Sequence, residues 1–139
     1  MEPLRLLIVD GQGGGIGRQL VEAIREANFP CEITAVGANT AATAAMLKAG
    51  ADQGATGENA VIVCARDAQV ILGPVGIAIA DSLLGEITPK MALAIGQSRA
   101  KKLLLPVNHC NNIIVGVGDL NLRILTQEAV SYLTALTKA

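Results

Sequence analysis

The run LRLLIVDGQGGGIGRQLVEAI, residues 4–24, reads as a strand passing through a turn into a helix. Leu4 to Val9 is almost continuously apolar, the pattern of a strand covered on both faces in a parallel sheet. From Ile16 onward the apolar residues Ile16, Leu20, Val21 and Ile24 recur at helical spacing, while Arg18, Glu22, Arg25 and Glu26 supply a wet face. Asn28 and Pro30 end that helix, and Glu32 to Val36 predicts a second strand, joined to the first by a right-handed crossover.

Between strand and helix lies Asp10-Gly11-Gln12-Gly13-Gly14-Gly15-Ile16-Gly17-Arg18, with Gly11, Gly13, Gly14, Gly15 and Gly17 crowded into one turn. Glycine admits positive φ and takes away the Cβ that would keep a ligand from the backbone amides. The free N–H groups of a helix's first turn and its dipole converge on the same spot, which suits phosphate. A bare strand-to-helix turn is the competing reading, but it needs only one or two glycines. Each additional one costs about 0.5–1 kcal/mol relative to alanine, by analogy with glycine inside regular elements.

The strict G-x-G-x-x-G register fails, because Ile16 stands where the third glycine would fall. Gly11, Gly15 and Gly17 give G-x-x-x-G-x-G instead, and Gly15-Ile16-Gly17-Arg18 resembles the cofactor turn of short-chain dehydrogenases. Their catalytic tyrosine with a lysine four residues on has no counterpart, since Tyr132 is the lone tyrosine and Leu136 follows it at that distance. The acid expected after the second strand for a ribose hydroxyl is also missing: Val36 leads into Gly37, Ala38 and Asn39, so Asn39 is the candidate in its place.

Further along, Asn39 or Thr40 caps a helix over residues 41–48 that Gly50 ends; the β-branched residues of 59–65 favour a strand there and Thr56 as a cap favours a short helix, the preferred reading. Gln69 to Leu72 predicts a strand, Pro74 to Leu84 a helix closed by Gly85, and Thr88-Pro89 the start of the next helix. Strands are expected over residues 101–105 and 113–117. An amphipathic helix over 122–136, with Ile124, Ala129, Val130, Leu133 and Leu136 inward, closes the chain. Thr56 and the Gly73-Pro74 turn fall near the carboxyl edge of such a sheet, where ligands bind, and both join the candidate site. Glu86, Thr88 and Lys90 read as a capped surface helix start. His109-Cys110 is the one place where a base adjoins a thiol, so both are weak catalytic candidates in a loop made polar by Asn108, Asn111 and Asn112.

Composition narrows the function classes. With 139 residues, 51% of them hydrophobic, the chain suits one domain spanning residues 1–139. Lys and Arg number 11 against 12 Asp and Glu, and Phe29 and Tyr132 are the only aromatics, which argues against nucleic acid as a partner. The longest apolar run, residues 70–80, is too short and too broken to span a bilayer, and residues 1–7 lack the pattern of an export signal. A cytoplasmic location is therefore expected, with Cys31, Cys64 and Cys110 as free thiols and no metal site. So apolar a small chain also predicts a homodimer.

The whole chain resembles a bacterial family known as domain of unknown function 3842. The resemblance rests on the glycine turn, Gly50-Ala51, Gly54 to Asn59, Gly73-Pro74, Gly85 to Met91, and Leu105-Pro106 with Cys110. It implies a shared fold and assigns no catalytic residue. The expectation is an α/β three-layer, Rossmann-like sandwich with a mostly parallel sheet of about five strands. Its expected function is that of a nucleotide or dinucleotide binding module, a sensor or accessory subunit, with NAD, NADP or another nucleotide held at Gly11–Gly17. A small reductase, a Cys110-dependent enzyme and a structural subunit without ligand are the alternatives.

Overall fold

A computed structural model describes residues 2–107, 111–118 and 121–137. Five strands form one wholly parallel sheet: β1 (Leu4–Asp10), β2 (Cys31–Gly37), β3 (Gln53–Thr56), β4 (Val70–Pro74) and β5 (Lys101–Leu105). The helices are α1 (Gly15–Glu26), α2 (Thr40–Ala49), α3 (Glu58–Asp67), α4 (Pro89–Gln97) and α5 (Leu122–Thr137). Side chains of β1 alternate between two cores. Leu6 and Ile8 pack with Leu20 and Ile24 of α1, Met46 of α2 and Leu125 and Leu133 of α5; Leu7 and Val9 pack with Val61 of α3 and Met91 and Ile95 of α4. Helices thus cover both faces, giving a three-layer sandwich.

Strand order is β3-β2-β1-β4-β5. The chain winds outward from β1 to β3, then crosses back to lay β4 on the other flank of β1. That reversal puts a topological switch point at the carboxyl ends of β1 and β4, where open parallel sheets bind ligands.

Local chemistry accounts for most boundaries. The side chain of Asn39 accepts the Ala42 N–H at 2.9 Å to start α2, and Gly50 ends it at φ 124°. Thr88 caps α4, with Pro89 in its first turn.

Four sequence expectations are corrected, the first being the cap of α3: Thr56 ends β3, and Gly57 at φ 100° is the N-cap, with no side chain capping it. Residues 74–84 are not a helix: Pro74 closes β4, Val75–Ala78 form a 3-10 turn, and Asp81, Leu83, Leu84 and Gly85 all take positive φ. On one helix Ile77 and Leu84 would share a face. Here Ile77, Leu83 and Ile87 are buried while Leu84 is 96% exposed, because the segment must strap across the sheet's edge to reach α4. Residues 113–117 are not a strand. Ile113 and Val115 are bare, Val117 N–H folds back to the Ile114 carbonyl, and Gly116 sits at φ 87°. The fifth strand is instead β3, whose Gln-Gly-Ala-Thr sequence carries no apolar signal and which pairs with β2 from Thr34↔Gln53 to Gly37↔Thr56. Of the face expected to point inward on α5, Ala129 and Leu133 are buried and Val130 and Leu136 pack against the core, whereas Ile124 is 41% exposed and Leu125 is buried in its stead.

Among the described residues no helix is long and apolar enough to cross a membrane.

Candidate anion site at the carboxyl edge of the sheet

β1 ends on Asp10, which is 3% exposed directly beneath the glycine turn. Its carboxylate accepts the Gly11 N–H at 2.8 Å and the Gly17 N–H at 2.7 Å, tying strand end to helix start. Burial pushes its pKa above the ordinary aspartate value. Donors from Gly17, Gly11 and Ile16 work against that rise, and the nearby Glu86 charge adds to it. Asp52 moves the opposite way, held low chiefly by the Ile33 N–H it accepts at 2.7 Å, with help from Arg25.

The five glycines divide sharply by what surrounds them. A Cβ on Gly11 would meet Glu86 Oε1 at 2.8 Å and Leu83 Cδ1 at 3.0 Å. Gly14, at φ 74°, caps α1 and lies so close to Ala42 that a Cβ would be 2.8 Å from its Cα. Gly17 is where α1 touches Met46 of α2. Those three are explained by packing or conformation. Gly13 and Gly15 are not: neither needs positive φ, and a Cβ on either would meet nothing within 4 Å.

The amides divide the same way. Gly14 N–H donates to the Gly11 carbonyl, Gly11 and Gly17 N–H serve Asp10, and Gln12 N–H donates to Glu86 Oε1 at 2.5 Å. Among the described residues, the Gly13 and Gly15 N–H groups have no protein acceptor. Both residues are exposed, at the start of α1. Five cavities of 270–540 Å³ lie away from them, the largest at the opposite edge around Glu2, Pro30 and Leu136.

Glu86, which in sequence reads as part of a capped surface helix start, is placed elsewhere by the fold. The strap carries it back over the turn, where Oε2 accepts the Asn39 side-chain N–H at 2.6 Å. Asn39 donates its other hydrogen to the Gln12 carbonyl at 2.9 Å and accepts Ala42 N–H with its oxygen, so its hydrogen-bonding capacity is largely used within the fold.

The structure therefore gathers Gly11, Gln12, Gly13, Gly14, Gly15, Ile16, Gly17 and Asn39 at one place, with Gly73 and Pro74 buried at the end of the adjacent β4. Thr56 lies at the far edge on β3, its hydroxyl 2.7 Å from that of Thr43, which also accepts the Gly37 N–H. His109 and Cys110 lie outside the described residues. Burial pushes the thiols of both Cys31 and Cys64 up from the ordinary cysteine value.

No curated protein and no solved structure matches the chain. A family model does match, over residues 5–138, from β1 through α5. The chain, glycine turn, strap and all, belongs to the family described as Domain of unknown function (DUF3842).

Proposed function

We propose that this domain is a nucleotide-binding module, a sensor or accessory subunit, which holds a ligand phosphate on the Gly13 and Gly15 N–H groups at the amino end of α1. One observation carries the reading. Gly13 and Gly15 are the two positions of the turn where the fold gains nothing from glycine, and their amides are the two left without an acceptor. Alanine at Gly15, in the first turn of α1, would if anything raise stability by a few tenths to about 1 kcal/mol. Packing and conformation do not require glycine at either position, whereas a ligand that approaches the main chain closely gains from the missing side chain. The switch point between β1 and β4 supports the same place.

The test is thermal melting with NAD, NADP, FAD, ATP, coenzyme A and sugar phosphates, on the native chain and on Gly15→Ala. A ligand at a hundred times its Kd stabilises by about 2.7 kcal/mol. The native protein should respond to at least one nucleotide, while Gly15→Ala melts at the same temperature or higher and responds to none. A variant that melts lower yet keeps the full ligand response would make the glycine purely structural.

A further inference from the structure

We propose that Glu86 reads the ribose of the bound nucleotide: its carboxylate accepts the vicinal hydroxyls and selects a free 2′-hydroxyl over a 2′-phosphate. This rests on the nucleotide reading above and adds to it the class of sugar.

Folds of this topology place an acid at the tip of the second strand for that task. Here β2 runs out into Gly37, Ala38 and Asn39, with no acid. The structure supplies one from elsewhere in the chain. Glu86, 47 residues beyond Asn39, is bonded to it, and so sits at the tip of β2 beside the first glycine of the turn.

Each carboxylate oxygen takes one protein donor, Oε1 from Gln12 N–H and Oε2 from Asn39. A carboxylate offers about four lone-pair sites, so each oxygen can still accept another hydrogen. Both donors are fixed, one being main chain and the other an amide whose oxygen caps α2. Buried Leu83 and Ile87 anchor the strap on either side of Glu86, which is itself only half-buried. No cation neutralises it: the ion pairs among the described residues are Arg18–Glu22 and Arg25–Asp52. A pre-aimed carboxylate without a counter-ion favours hydroxyl donors and repels a phosphate in their place. Gly11 has no Cβ, and the carboxylate lies within 2.8 Å of where one would be, so the acid abuts the turn whose next open amides are Gly13 and Gly15.

Calorimetric titration of the full chain with the four ribonucleoside 5′-monophosphates, their 2′-deoxy counterparts and adenosine 2′,5′-bisphosphate tests the assignment. The native protein should prefer a ribonucleotide over its 2′-deoxy form by about tenfold, one hydrogen bond's worth, and should bind the bisphosphate more weakly still. Glu86→Gln should bring the ribose preference close to one. Glu86→Asp, one methylene shorter but still charged, should lose it as well and serves if Glu86→Gln does not fold. If both variants bind every phosphate compound more tightly than the native chain, inorganic phosphate included, with the ribose ratio unchanged, Glu86 is an internal plug and the proposal is overturned while the phosphate site stands. Binding of none of the compounds by native or variant protein would overturn the phosphate site and the proposal together.

Discussion

Replacing Gly73 with alanine should destabilise the protein by about 3 kcal/mol, at the upper end of ordinary overpacking. Gly73 stands in β4 beside β1, where its missing Cβ would be driven against the Val9 carbonyl oxygen, with Ile77 Cδ1 at 2.9 Å behind it. The obstacle is main chain in the middle of the sheet, so it cannot rotate away. Relief requires separating β1 from β4 just past the Ile8↔Leu72 pair. Urea unfolding should show a lower midpoint with an unchanged slope. Gly13→Ala makes the control, since nothing lies within 4 Å of its Cβ and the midpoint should hardly move. A loss below about 1 kcal/mol for Gly73→Ala, within the range of an average substitution, would contradict the packing described.

Asp10→Ala should cost about 2–4 kcal/mol, because it leaves the Gly11 and Gly17 N–H groups without their acceptor, at about 1–3 kcal/mol for each donor stranded in the interior. The effect should depend on pH in a defined direction. The folded protein holds the Asp10 proton more tightly than the unfolded chain, because burial raises its pKa. In the window between the ordinary aspartate value and the raised folded value, the folded state carries the extra proton. Unfolding free energy therefore falls as pH rises through that window. The native chain should show this slope and Asp10→Ala should lack it. A carboxyl carbon titration by NMR would place Asp10 above, and Asp52 below, the ordinary aspartate midpoint. An Asp10 midpoint at or below the ordinary one would contradict the burial argument.

Where secondary structure is set locally, the sequence is a sufficient guide. The apolar run Leu4–Val9, the helical spacing of Ile16, Leu20, Val21 and Ile24, and the caps at Asn39, Gly50 and Thr88 each determine an element through neighbours only a few residues away. The misread segments are governed by distant partners. β3 exists because β2 offers it an open edge, whatever the side chains of Gln53 to Thr56. The strap of residues 75–87 is shaped by the need to bury Ile77, Leu83 and Ile87 while crossing the end of the sheet. Positive φ at Leu83 and Leu84, which costs about 1–2 kcal/mol per residue, goes against their own preference and leaves no trace in the spacing of apolar residues.

The candidate site follows the same division. The glycine turn is legible as a turn, because five glycines between a strand and a helix have few other uses. Which of them face outward is not, for that depends on Met46, Ala42 and Glu86 arriving from other elements. Glu86 reads in sequence as part of a helix start, and only the fold brings it to Asn39.

The central claim is that the Gly13 and Gly15 amides receive phosphate. Titrating the 15N-labelled full chain with the nucleotide that gives the largest thermal shift, or with ATP if none does, and following backbone amide resonances tests it most directly. The account predicts the largest downfield proton shifts at Gly13 and Gly15, saturating together, with small changes at Gly11 and Gly17, whose protons already serve Asp10. A titration that leaves Gly13 and Gly15 unmoved, or that moves amides at another part of the fold instead, would contradict it.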